Sequence, residues 1–135
     1  MIIDFQTIEL DNTPNQTLVL PDGFNSLSKP HLRSPIFPVS VGTLQRCWLH
    51  MVDMQPRVKL RGQAVDKFQY EFVQRSAVFH FPDIIIVQFL SFPDKHSSFA
   101  AYSRSKYGYY DFGVNRRRMV FWLELLRKEI VKEIS

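Results

Sequence analysis

Residues 83–92 read DIIIVQFLSF. Apolar residues occupy both odd and even positions from 84 to 90, with Gln88 the exception, so neither side of a strand here would face water. The run is too short for a helix of ordinary length and is bounded by Pro82 and Pro93. It reads as a central strand covered on both faces. The rest of the fold is built outward from it.

Upstream, RVKLRGQAV (57–65) alternates Val58, Leu60 and Ala64 with Arg57, Lys59, Arg61 and Gln63. KFQYEFVQ (67–74) alternates Phe68, Tyr70 and Phe72 with Gln69 and Glu71. Period-two alternation predicts half-buried strands. Downstream, SSFAAYSRSK (97–106) is a fourth strand. HFPD (80–83) and FPDKH (92–96) carry Pro-Asp turn chemistry. Connections this short imply antiparallel neighbours.

Helices flank the strands. Ser40 offers an N-cap, and Leu44, Cys47, Trp48 and Met51 follow at helical spacing, with Pro56 beyond. This predicts a helix over 41–54. Met119, Trp122, Leu123, Leu126 and Ile130 form an apolar stripe, predicting a second helix over 116–133. Phe121 and Leu125 lie off that stripe. The expected fold is α+β: a four-stranded antiparallel sheet in the order α-β-β-β-β-α, with both helices packed on one face. Residues 1–40, punctuated by Pro14, Pro21, Pro30, Pro35 and Pro38, are expected to form an extended N-terminal arm around a single domain, with Thr17–Leu20 as an edge strand.

At 135 residues the chain can bury a core as one domain. It has no apolar run long enough for a membrane span and no basic-then-apolar leader. The expected location is the cytoplasm. The single cysteine, Cys47, excludes an internal disulfide and fits a reducing compartment. Twelve phenylalanines imply a Phe-rich core or a sticky face, and a homodimer through a Phe-rich sheet face is one expectation.

The net charge is +4, and residues 104–118 account for all of it. Arg104, Lys106, Arg116, Arg117 and Arg118 stand there against Asp111 alone. Three of them occupy a helix start, where positive charge opposes the macrodipole by roughly 0.3–1 kcal/mol each when exposed. Asn115 is a good N-cap, and Val114 with Met119 would then form a hydrophobic staple. Gly108 and Gly113 permit a shaped turn. Either Asp83 and Asp111 neutralise the arginines or an external anion does; helix N-termini and arginine both suit phosphate or carboxylate. The expected anion or acidic-partner site is Arg104, Lys106, Asn115, Arg116, Arg117 and Arg118, with Asp83, Asp111, Gly108 and Gly113 as its structural network.

SKYGYYDFGVNRRR (105–118) resembles the signature of a bacterial and plastid family, domain of unknown function 1499. The likeness falls on Gly108, Asp111, Gly113, Val114, Asn115, Arg116 and Arg118. FHFPDIII (79–86) is similar to the family's Phe-Pro-Asp segment, and PDGFNSLS (21–28) with IFPV (36–39) to its N-terminal region. The chain differs where the family often has a second aspartate (Ile84), arginines (Tyr102, Lys106) or a small residue (Arg104). The resemblance implies no activity.

Other chemistry is weakly supported. Cys47 and His50 could form a thiol–imidazole pair, but Cys47 lies on the apolar stripe. His31, His50, His80 and His96 lack metal-ligand spacing, so neither a metal nor a cofactor is expected. Asp83 and Asp111 with Tyr109 or Tyr110 could serve a small enzyme, although arginine partners would keep both acids ionised. Nucleic acid is disfavoured, because the aromatic pattern of RNA-binding sheets is missing. The reading favoured is a non-catalytic binding or assembly module for an acidic protein or a phosphate-bearing ligand.

Overall fold

The computed structural model describes residues 2–135. In chain order the elements are β1 (Gln16–Pro21), β2 (Leu32–Ser34), α1 (Val41–Asp53), β3 (Val58–Ala64), β4 (Gln69–Arg75), β5 (Pro82–Phe92), β6 (His96–Ser105) and α2 (Val114–Ile134). The strands form one six-stranded sheet in the order β2-β1-β6-β5-β4-β3. All neighbours are antiparallel except β1 and β2, which are parallel. The run at 83–92 is central, pairing with β4 on one side and β6 on the other. The four expected strands and two helices are present.

The expected strand count was too low. Thr17–Leu20 belongs to β1, which lies inside the sheet between β2 and β6 rather than on an edge. Its six residues are all buried. The cause is the same as for β5: Leu18 and Leu20 point into one core and Val19 into the other, so both faces need cover. A parallel partner follows after a crossover of ten residues, 22–31, which no local alternation announces.

Two cores result. Both helices lie over the face that carries Phe72, Ile85, Val87 and Phe99, with Trp48 and Trp122 between helices and sheet. The opposite face buries Leu18, Leu20, Ile86 and Ala100 beneath Phe5, Ile3, Ile8 and Leu10 of the N-terminal segment. That segment therefore covers the back of the sheet. Phe72, Phe89 and Phe99, which lie on strands, are core residues. The exposed phenylalanines are Phe68, Phe79, Phe81, Phe112 and Phe121, none of them within a strand.

Ser40 caps α1 as expected, its side chain accepting from the Thr43 N–H at 3.3 Å. α2 starts at Val114, two residues before the expected point, and its cap residue is Gly113 in the left-handed region at φ 78°. Asn115 is inside the helix, so Val114 and Met119 do not stand at staple positions. Among the described residues no helix is long and apolar enough to cross a membrane.

Candidate functional site

Asp111 supplies the cap that Asn115 was expected to provide. Its Oδ1 accepts from the Gly113 N–H at 2.8 Å, and its Oδ2 accepts from the Asn115 N–H at 3.2 Å and from Asn115 Nδ2 at 2.8 Å. Burial pushes the Asp111 carboxyl up, but the bonds from the Asn115 side chain and the two backbone N–H groups outweigh it. The net pKa is below the ordinary carboxylate value.

Because the folded pKa is lowered, the stability Asp111 contributes is full above the ordinary carboxylate range. It is lost as pH falls through that range towards the folded value. Asp111→Asn is therefore expected to flatten the acid limb of a melting-temperature titration. It should also cost about 1 kcal/mol at neutral pH, because the amide nitrogen that replaces one oxygen cannot accept the bonds that oxygen accepted. An acid limb unchanged from wild type would refute this role.

Asn115 is completely buried and ties the helix to the sheet. Its Oδ1 accepts from Ser103 Oγ at 2.7 Å and Arg118 Nη1 at 2.8 Å, while Nδ2 also donates to Ser105 Oγ at 3.1 Å. Arg118 continues the network, donating to Gln74 Oε1 at 2.6 Å and to Asp83 Oδ2 at 2.5 Å. Gly108, at φ 84°, turns its carbonyl to accept from Asn15 Nδ2 at 2.7 Å.

The three arginines therefore have different fates. Arg118 is satisfied internally by Asp83. Arg116 and Arg117 are exposed and donate only to backbone carbonyls, those of His31 at 3.1 Å and Phe112 at 2.6 Å. Asp111 pairs with no arginine. Arg104 lies 3.6 Å from Asp11. Lys106 Nζ sits 5.6 Å from the Tyr107 ring centroid. The expected six residues are thus divided: Asn115 and Arg118 bond into the network, Arg117 and Arg118 border one hollow, Arg116 a second and Lys106 a third.

The acid pair of the enzyme reading does not face a common space. Asp111 borders a hollow of about 440 Å³ with Tyr110, His31 and Arg116, and Asp83 is not in its wall. His31 Nδ1 accepts from the Leu18 N–H at 2.8 Å, which needs that nitrogen unprotonated. Burial, and then Arg116, pull the His31 pKa below its ordinary value. Burial pushes the Cys47 thiol up, away from the thiolate, and His50 binds Glu129 at 3.0 Å instead. Among the described residues no cluster of His, Cys, Asp and Glu could hold a metal ion.

A concavity lined by cations lies elsewhere. A hollow of about 700 Å³ opens where β3, β4 and the ends of β5 and β6 meet. Arg57, Lys59, Arg61, Arg75, His80 and Lys106 line it, with Val58 and Val73 as its only apolar wall residues and no carboxylate. Glu71 Oε2 lies 3.9 Å from Arg61 Nε. Backbone carbonyls orient two of the guanidinium groups: Arg57 Nε donates to Arg75 O at 2.9 Å, and Arg75 Nη1 to His80 O at 3.0 Å. Arg57 and His80 both hold positive φ, 57° and 58°, a conformation costly for residues with a Cβ.

Sequence reasoning missed this hollow because it summed charge along the chain. Over residues 53–66, Asp53 and Asp66 reduce the charge of Arg57, Lys59 and Arg61 to +1, so the segment does not stand out beside the run at 104–118. The available signal was the alternation itself, since cations at every second position of a strand share one face.

A comparison with curated proteins finds no match. The family model described as protein of unknown function (DUF1499) matches residues 21–126, from the end of β1 to the middle of α2. That span contains the Asp111–Asn115–Arg118–Asp83 network and every residue lining the basic hollow, and the chain belongs to the DUF1499 family.

Proposed function

We propose that this domain is a non-catalytic binding module for a phosphate-bearing anion held in the basic hollow. The observation that carries the reading is a concavity of about 700 Å³ whose charged wall is entirely cationic. Arginine and lysine together favour phosphate, the first by bidentate hydrogen bonds and the second as a mobile point charge. The tethers of Arg57 and Arg75 to backbone carbonyls reduce the ordering cost of binding. Arg116 and Arg117, at the start of α2, add to the positive field around the site without forming it.

Titration calorimetry with inorganic pyrophosphate tests the reading. Lys59→Glu combined with Arg75→Glu is expected to weaken binding by about tenfold or more, as loss of charge-assisted hydrogen bonds does. Arg116→Ala with Arg117→Ala should change it by less than about threefold, as a remote screened charge does. The reverse pattern, with both variants folded, would move the ligand to the helix start.

A further inference from the structure

Two loops rim the basic hollow, and both present large apolar side chains to solvent. The first, residues 76–81, joins β4 to β5 and exposes Val78 (76%), Phe79 (71%) and Phe81 (61%). The second, residues 106–113, joins β6 to α2 and exposes Tyr107, Tyr110 (67%) and Phe112 (83%). They lie at the same end of the sheet, because Pro82 O accepts from the Lys106 N–H at 3.1 Å. His80 belongs to the first loop and Lys106 to the second, so each loop supplies both a hollow-lining cation or imidazole and an apolar tip. Scattered exposed apolar residues need no explanation, but two loops of them at one end of the sheet do: Phe79 and Phe81 flank His80 of the basic hollow, and Tyr110 and Phe112 border the hollow of about 440 Å³ with Arg116.

We propose that the phosphate recognised by the hollow is the headgroup of an anionic lipid, and that the domain docks on an anionic membrane surface with these two loops as its apolar anchor. The proposal rests on the reading of the hollow as a phosphate site. Charge complementarity supports the occupant: cations near an anionic leaflet each add attraction, and the hollow's wall has no carboxylate to oppose it. The tip chemistry supports it too, since tyrosine and phenylalanine suit the headgroup boundary, where an apolar body and a polar edge are both satisfied.

A nucleic acid fits less well. Single strands bind grooves in which aromatic faces alternate with cations. Here the hollow holds no Phe, Tyr or Trp, Val78 has no π face, and the tip rings are engaged with one another. Phe79 stacks on Phe81 at 5.4 Å between centroids, and Tyr110 on Phe112 at 6.1 Å.

The test is co-sedimentation of the full chain with vesicles of phosphatidylcholine, with and without phosphatidylglycerol, beside pyrophosphate calorimetry. Wild type is expected to sediment with the phosphatidylglycerol vesicles only, and less as salt rises. Phe79→Ser/Phe81→Ser, and separately Tyr110→Ser/Phe112→Ser, should each weaken vesicle binding by about tenfold or more while leaving pyrophosphate binding unchanged. Wild type that binds pyrophosphate but ignores anionic vesicles would overturn the membrane proposal and leave the hollow intact. Failure in both assays would remove both. Loop variants that sediment like wild type, or preferential binding of single-stranded RNA over vesicles, would also overturn the proposal.

Discussion

Arg118→Ala is expected to destabilise the domain by about 3–5 kcal/mol, the range for removing one partner of a buried pair. The Arg118 and Asp83 side chains are only 8% and 14% exposed. Removing the guanidinium leaves the Asp83 carboxylate with little water and takes a donor from Ser103, Asn115 and Gln74 together. The melting temperature should drop by about 10 °C or more. Arg116→Ala and Arg117→Ala, exposed and bonded only to carbonyls, should each change stability by less than about 0.5 kcal/mol. Three adjacent arginines would thus separate into one structural residue and two dispensable ones. A loss under about 1 kcal/mol for Arg118→Ala would show that the pair is solvated and the network misread. Arg118→Met with Asp83→Leu should recover much of the loss, since an apolar replacement of both partners leaves no stranded charge.

Trp48→Ala should cost a comparable amount, about 3–5 kcal/mol. Trp48 is fully buried, and its ring meets Phe99 at 5.1 Å, Phe89 at 5.9 Å and Trp122 at 5.9 Å between centroids. It is the contact through which α1 holds β5, β6 and α2 at once. Its Nε1 finds no hydrogen-bond partner among the described residues. Trp48→Phe gives up volume but also removes a buried unpaired donor, whose desolvation costs about 1–3 kcal/mol. The phenylalanine variant is therefore expected within about 1.5 kcal/mol of wild type, as for a tolerated hydrophobic exchange. Urea denaturation of both variants checks the contrast, and equal losses would refute it.

Much of this architecture was readable from the chain. Residues 83–92 lack a polar face, and that alone placed them at the centre of the sheet. The same logic applied to Thr17–Leu20, but a stretch so short and so hemmed by prolines reads equally well as an edge. β2 has three residues, LRS, and no periodicity to detect. Its place is set by the Ser34 hydroxyl, which donates to Phe99 O at 2.7 Å, and by the parallel pairing with β1.

At the helix start, Asn115 has the right chemistry for a cap and stands two residues too late. Gly113, by adopting positive φ, lets Asp111 reach forward over the turn, and Asn115 then turns inward to bond to the sheet. Asp83 and Asp111 were legible as candidate partners of the arginines because they were the available opposite charges; which arginine would be met was not, and Asp83 alone pairs, with Arg118. The hollow was not, since its lining comes from segments that begin at residue 57 and end at residue 106. Only strand pairing brings them together.

β3 is one outer boundary of the sheet, and its unpaired backbone groups would otherwise invite another sheet to join. The register shift between Leu60 and Gly62 bends it, and Lys59 and Arg61 project from it into water. Bulges and charges of this kind discourage intermolecular strand addition. The residues proposed to hold phosphate are thus also a guard against aggregation. Neutral replacements at Lys59 and Arg61 would erode solubility along with binding, whereas glutamate would remove the ligand contacts and keep the edge charged.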